Sequence, residues 1–281
     1  MFIETFMNNI PKWEEFEYAF ENVAPRQYRA THKISKEVIT FSEGDDISAE
    51  LFNQLELFKK TPEEGLGQKI PVATLNELSD SLIYQYEILI AGCIRARMIS
   101  NGKNPDEANI ASLITWLEST DFFTTPASTQ YHEAHTRGLV QHTLKVYNKI
   151  CDMWTVPDFS DVPIHSATLV ALLHDWCKIG LYEQYEKNVK NDHTGKWEKQ
   201  LAYRYSSDNV IGSFGHGTTS MFLASRFFKL TNDEALAIRC HMGEYNVADN
   251  EMNDLHHSNE DYPLVQMIQF ADRLAITRYY K

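Results

Sequence analysis

The 281-residue chain is 43% hydrophobic and 23% charged, with 12 Gly and 9 Pro, a composition that excludes disordered, fibrous and low-complexity classes. Its 26 basic residues against 39 acidic ones leave a net charge of -13, which disfavours a long nucleic-acid track. A small phosphorylated substrate remains compatible with that charge, because a bound divalent cation can dominate the local field. The longest apolar run, near Leu82–Ile94, is interrupted by Tyr84, Gln85 and Glu87 and falls short of the roughly 18–20 residues of a membrane span, so no membrane partner is expected. The first nine residues carry neither a basic region nor an apolar signal core, which predicts a cytoplasmic protein. Cys93, Cys151, Cys177 and Cys240 lie far apart with no Cys-x-x-Cys pair, and buried reduced thiols are expected.

Helical spacing of apolar residues recurs through the chain and predicts a mainly α fold. Residues 1–105 read as an N-terminal, mainly helical region of unknown role. Its stripes are Trp13/Phe16/Phe20, Leu51/Leu55/Phe58 and Leu75/Leu78/Leu82/Tyr86/Leu89. A strand-like piece, Lys36–Phe41, runs into the turn residues Ser42–Asp46, and Pro62–Pro71, with Gly65 and Gly67, reads as a linker. Residues 106–281 read as a second domain. It opens with a helix through Ile110, Leu113, Ile114 and Leu117, and another follows from Gly138 to Met153. A third starts near Pro163, is apolar on every side, and is expected to stop at Gly180, which places it in the centre of a bundle. The polar break at Asn191–Gly195, within Glu186–Tyr205, predicts a β-hairpin flap. Trp197, Tyr203 and Tyr205 on it are candidates either for base stacking or for plain cross-strand packing. Thr231-Asn232-Asp233-Glu234 is a capping box opening a helix that is expected to end at Gly243, and Pro263 takes the first position of a last helix.

Polar residues with ligand chemistry fall where apolar ones belong. His142 lies on the stripe of Leu139, Val146 and Ile150, and Asp272 on that of Leu264, Ile268, Ala271 and Ala275. His174-Asp175 closes the central apolar helix, and His241 shares the face of Ala237 and Ile238. A buried ionised carboxylate costs several kcal/mol without a partner, so Asp175 and Asp272 need cations or donors. A metal would supply them. Mixed imidazole and carboxylate donors suit Mn, Fe, Co, Ni or Zn better than Mg alone. A lone His on an apolar face is ordinarily a hydrogen-bonded core histidine. The ordered set His142, His174-Asp175, His216, His241 and Asp272 is what points to a shared site.

These residues sit in Gly138-Leu139-Val140-Gln141-His142-Thr143, Leu172-Leu173-His174-Asp175-Trp176-Cys177-Lys178-Ile179-Gly180, Gly215-His216-Gly217, Ile238-Arg239-Cys240-His241-Met242-Gly243 and Ala271-Asp272-Arg273-Leu274-Ala275. Over about residues 110–280 the order H…HD…H…H…D resembles the binuclear branch of the HD-domain metal-dependent phosphohydrolases. The resemblance implies a helical HD bundle holding two divalent ions, with Mg admitted at one site. His142, His174, Asp175 and Asp272 would bind one ion, and Asp175 would bridge to a second held by His216 and His241. It implies hydrolysis of a phosphate ester or anhydride of a nucleotide or short oligonucleotide, with a hydroxide between the ions as nucleophile. Asp175 and Lys178 are then the catalytic candidates, with Lys178 directed at a substrate phosphate. A lysine at a helix C-terminus has a plain electrostatic reading as well.

His132, Arg137 and Arg273 are further substrate-binding candidates, although an Arg beside a buried acid can equally face outward. His135 stands where related proteins often carry an aromatic residue and Arg137 replaces the first Gly of a usual pair, so the pocket rim departs from the family pattern. His165, His193, His256 and His257 read as surface residues. The same ligand order serves HD-fold mixed-valent di-iron oxygenases, which require dioxygen where a hydrolase does not, and a metal-stabilised binding module without catalysis is a third reading. Oligomeric state is not legible.

Overall fold

The computed structural model describes residues 18–24, 27–32, 38–42, 66–103, 106–191, 193–207, 214–246 and 251–276. The fold is mainly α. Near the N-terminus, however, strands β1 (Tyr18–Ala24), β2 (Gln27–His32) and β3 (Val38–Ser42) form an antiparallel sheet in the order β1-β2-β3. The helical reading of the Trp13/Phe16/Phe20 stripe is corrected at Phe20, which lies in a strand, while Val72–Asn76 and Asp80–Ser100 of the same region are helical. A spacing of four residues places Phe16 and Phe20 on one face of a helix and equally on one face of a strand, so it could not separate the two. The strand expected at Lys36–Phe41 is β3. Trp13, Phe16 and the Leu51/Leu55/Phe58 stripe lie outside the described residues.

The helices are α1 (Val72–Asn76), α2 (Asp80–Ser100), α3 (Glu107–Ser119), α4 (Gly138–Trp154), α5 (Ile164–Leu173), α6 (His216–Ser225), α7 (Asn232–Cys240), α8 (Met252–Asp261) and α9 (Pro263–Ala275). The stripe that spans Leu75–Leu89 is split between α1 and α2, because Leu78 between them is left-handed (φ 49°) and Ser79 caps α2 from its side chain. The end of the expected linker is tied down. Leu66 and Ile70 are buried, the Gly67 N–H donates to Tyr147 Oη, and Asn148 of α4 exchanges two hydrogen bonds of 2.8 Å with the backbone of Ile70. A division at residue 105 runs through one core, in which Leu82, Tyr86 and Ile90 of α2 pack with Leu139, Val146, Leu172 and Ile268 from later helices.

Apolar on every side, α5 requires neighbours all round, and α2, α4, α6, α7 and α9 supply them. It ends at Leu173 rather than at Gly180: His174 is the capping residue, Asp175 leaves helical geometry (φ -108°, ψ 17°), and Trp176–Lys178 form a 3-10 turn. Tyr86 Oη donates to the Leu172 carbonyl and accepts from Trp176 Nε1, tying α2 to both sides of this break. The capping-box residue Glu234 is buried. It accepts from Thr231 N–H, Ser166 Oγ and Arg97 Nη1, so one carboxylate joins α2, α5 and α7. The hairpin consists of β4 (Tyr182–Lys190) and β5 (Trp197–Tyr205), with Tyr182 opposite Tyr205 and Lys190 opposite Trp197, and it begins earlier than the expected Glu186. No helix of the described residues is long and apolar enough to cross a membrane. The four cysteines are free and buried.

Glu87 of α2 is buried with Oε1 lacking a hydrogen-bond partner. Burial, reinforced by nearby Glu118, raises its pKa to about 7. For an acid whose pKa rises on folding, the favourable contribution is complete below the unfolded value of about 4.3 and is lost as pH climbs through the folded one. Glu87→Gln is therefore expected to gain stability relative to the native chain between pH 5 and 8. Urea denaturation at several pH values measures this difference, and the two curves should converge toward pH 4.

Candidate metal centre

Asp175 lies at the break after α5, 3% exposed, and other elements bring cationic or imidazole groups to both of its oxygens. Oδ1 is 2.7 Å from His216 Nε2 at the start of α6 and 3.7 Å from His241 Nε2 at the end of α7. Oδ2 is 2.6 Å from Lys178 Nζ, 3.4 Å from His174 Nε2 and 3.5 Å from His142 Nε2 of α4. Asp272 of α9 completes the ring, its Oδ1 3.0 Å from His142 Nε2. The rings of His142 and His174, His174 and His241, and His216 and His241 follow one another at centroid distances of 5.5, 5.0 and 5.2 Å. All six residues singled out in the sequence as ligands thus converge.

The imidazoles at the two helix ends are oriented from behind. His174 Nδ1 donates to the Ala171 carbonyl and His241 Nδ1 to the Ile238 carbonyl, each at 2.7 Å. A carbonyl can only accept, so both rings carry a proton on Nδ1, which leaves Nε2, directed at Asp175, as the nitrogen open to a metal. These two Nε2 atoms are buried without a hydrogen-bond partner. Leaving such atoms unsatisfied costs about 1–3 kcal/mol each, and a cation accepting both lone pairs would remove that cost. Backed imidazoles, carboxylates and orphaned lone pairs fit a divalent transition ion, whose histidine ligands are characteristically held through the second nitrogen.

The electrostatics maintain this charge pattern. Burial pushes the Asp175 carboxyl upward, but Lys178, His174 and His216 outweigh it and hold the group well below the usual carboxylate range. Asp272 is likewise lowered, burial being overcome by its hydrogen bond to His142 and by the charges of His142 and His174. Burial lowers Lys178, yet Asp175 leaves its pKa above the ordinary value. His216 reaches about 10, its burial offset by the hydrogen bonds to Asp175 and Cys177. His132 is lowered to about 4 by burial and by nearby His142 and Lys178.

Ligand-type atoms within 4.8 Å of one another fall into the groups His142/His174/Asp175, Asp175/Cys177/His216 and His132/Glu133/His142 among the described residues. Glu133 and the Cys177 thiol had no candidate role in the sequence. Cys177 Sγ lies 3.3 Å from His216 Nδ1, and the only hint was its place two residues after Asp175. Glu133 sits in an irregular loop whose approach to α4 no periodicity reports.

The remaining sequence candidates divide. His132 packs against His142, the rings tilted with centroids 4.9 Å apart, and lines the site. Arg137, left-handed at the cap of α4 (φ 68°), is placed differently: its guanidinium is bonded to the Leu78 carbonyl and to Asp80, 2.6 Å away, and ties α4 to α2. Arg273, which follows Asp272 on α9, is exposed, as are His193, His256 and His257. The hairpin is latched beside the site by Tyr203 Oη, 2.8 Å from Thr136 Oγ1, while the Tyr182 and Tyr205 rings pack across the strands at 5.4 Å. Trp197 is exposed. Comparison of the chain with protein-family models, curated proteins and solved structures finds no match.

The approach of α6 to α7 depends on Gly217, where an added Cβ would fall 2.0 Å from the Arg239 carbonyl oxygen. Backbone cannot move aside as a flexible side chain can, so Gly217→Ala is expected to separate His216 from His241. Calorimetry should record a loss on the order of 1–3 kcal/mol, and equilibrium dialysis against Mn2+ should give weaker uptake.

Proposed function

We propose that this chain is a metal-dependent phosphohydrolase of the HD-domain type, acting on a phosphate ester or anhydride of a nucleotide or short oligonucleotide. The observation that carries the reading is the position of Asp175: one oxygen faces His216 and His241, and the other faces His142 and His174, with Asp272 across from His142. A carboxylate in that position has an oxygen to offer each of two ions. When bound, divalent ions supply a hydroxide at neutral pH and draw electron density from the phosphoryl oxygens.

The residues of the chain then position and exclude. Lys178, buried and held protonated beside Asp175, is the fixed positive charge within reach of the site, and exchanging part of its contact for a phosphoryl oxygen would orient the substrate. The side chains of His174 and His241 are fully buried, and the carbonyls behind them keep the rings from turning. His132 is neutral at pH 7, so it can accept a hydrogen bond at the rim without adding charge. Acidic composition limits the substrate to a small one, since the net charge of -13 repels an extended polyphosphate.

The test loads metal-stripped protein with Mn2+ and, separately, with Fe2+, and supplies nucleoside mono- and triphosphates, cyclic dinucleotides and short RNA under anaerobic conditions. Release of phosphate or nucleotide is expected without dioxygen. Asp175→Ala should lower the rate at least about a hundredfold, the several kcal/mol that bound metals contribute to a charged transition state. Equal rates in the two proteins would overturn the proposal. Turnover that appears only in air would assign the site to oxygenase chemistry, and metal uptake without any turnover would make it a binding module.

A further inference from the structure

We infer that Glu133 is a positioning residue for the metal centre, its carboxylate holding the Nδ1–H of His142 so that Nε2, beside Asp175 and Asp272, is the nitrogen that a metal ion would take in place of its proton. The inference rests on the metal-site reading above and adds a residue outside the proposed ligand set.

The argument begins with what each imidazole has behind it. His174 and His241 stand where α5 and α7 end, so the carbonyls three residues earlier are released from the helical ladder and are free to accept from Nδ1. His216 has Cys177 Sγ at its Nδ1. His142 differs, because it lies inside α4, where backbone carbonyls are committed to the helix. Its Nδ1 is buried without a hydrogen-bond partner, and the carboxylate that faces it is Glu133, with Oε2 at 3.9 Å. Glu133 Oε2 is itself buried and unpartnered. A potential donor and an acceptor, each without another partner, thus face one another 3.9 Å apart, and the inferred hydrogen bond requires that gap to close by less than about 1 Å, within the reach of a side-chain rotation.

The surrounding chain holds Glu133 in that place. Its other oxygen, Oε1, accepts from Lys145 Nζ at 2.7 Å, and Lys145 lies on α4 three residues beyond His142. Its backbone is left-handed (φ 42°), a conformation unfavourable for a non-glycine residue. The Glu133 carbonyl accepts from the Ala127 N–H at 3.1 Å and lies 1.9 Å from where a Cβ on residue 138 would fall, so Gly138 is what lets the loop press against α4. A carboxylate behind a ligating imidazole fixes its tautomer and increases its basicity, and removing such a partner typically costs 10–100-fold in metal affinity.

The experiment titrates full-length, metal-stripped protein with Co2+, reading its visible absorption, and with Mn2+ by competition. Glu133→Gln and Lys145→Gln are compared with the native chain, and apo stability is measured in parallel. Glu133→Gln is expected to bind about 10–100-fold more weakly, with an altered Co2+ spectrum and an unchanged number of ions. Lys145→Gln should reproduce any loss of apo stability that comes from breaking the Glu133–Lys145 ion pair, but the backbone contacts of Glu133 with Ala127 and Gly138 still hold the loop, so ion affinity should fall far less than in Glu133→Gln. Equal affinity and spectrum in Glu133→Gln would overturn the inference, as would equal weakening in Lys145→Gln. A lower ion count in Glu133→Gln would overturn it too, by making Glu133 a ligand itself. Failure of the native protein to take up either ion would instead sink the metal-site reading.

Discussion

A carboxylate removed from water is the constraint around which this molecule is organised. Ionised and unaided, Asp175 would cost several kcal/mol to bury, and the helices around it bring four imidazoles and an ammonium to its two oxygens. The arrangement explains why α5 stops at Leu173. Had the helix continued, the 3-10 turn that places Lys178 Nζ on Oδ2 would not form, and the Ala171 carbonyl would be taken up by the ladder instead of backing His174.

The scaffold meets this demand with rigid parts. Glu234 joins α2, α5 and α7 through Arg97, Ser166 and its own capping box, and Tyr86 links α2 to Leu172 and Trp176 on either side of His174-Asp175. These bonds belong to residues before and after 105 alike, so the first long helix is part of the support of the site rather than an appendage to it. Helix ends provide freed carbonyls behind two of the histidines, a thiol stands behind a third, and an acidic loop faces the fourth. Such a site owes its geometry to where helices end as much as to which residues they carry.

Much of this was legible from periodicity. His142 and Asp272 stood out because each interrupts an apolar stripe, and they are found 3.0 Å from one another, with His142 also facing Asp175. The central place of α5 followed from its lack of a polar face, and the hairpin from the polar break around Asn191–Gly195. Spacing failed where two periods coincide or where contacts are irregular. Phe16 and Phe20 fit a helix and a strand alike, and the chain chose a strand at Phe20. Arg137 looked like a rim residue by its place just before the first ligand, yet its guanidinium is bonded to Asp80 and to the Leu78 carbonyl. Glu133 and Cys177 gave no signal, because a residue that acts from behind a histidine needs no fixed spacing from it.

The amino-acid order by itself determined the helical class and the central apolar helix, and it singled out five of the six ligand-type side chains by local periodicity and the high cost of burying charge; His216 was legible only from its place in the H…HD…H…H…D order. Tertiary structure alone decided which oxygen of Asp175 meets which imidazole, where α5 breaks, and that Arg137 turns away while Glu133 turns in. Those outcomes depend on backbone approaches such as those of Gly138 to Glu133 and Gly217 to Arg239, which bring together segments whose separation along the chain carries no information about distance.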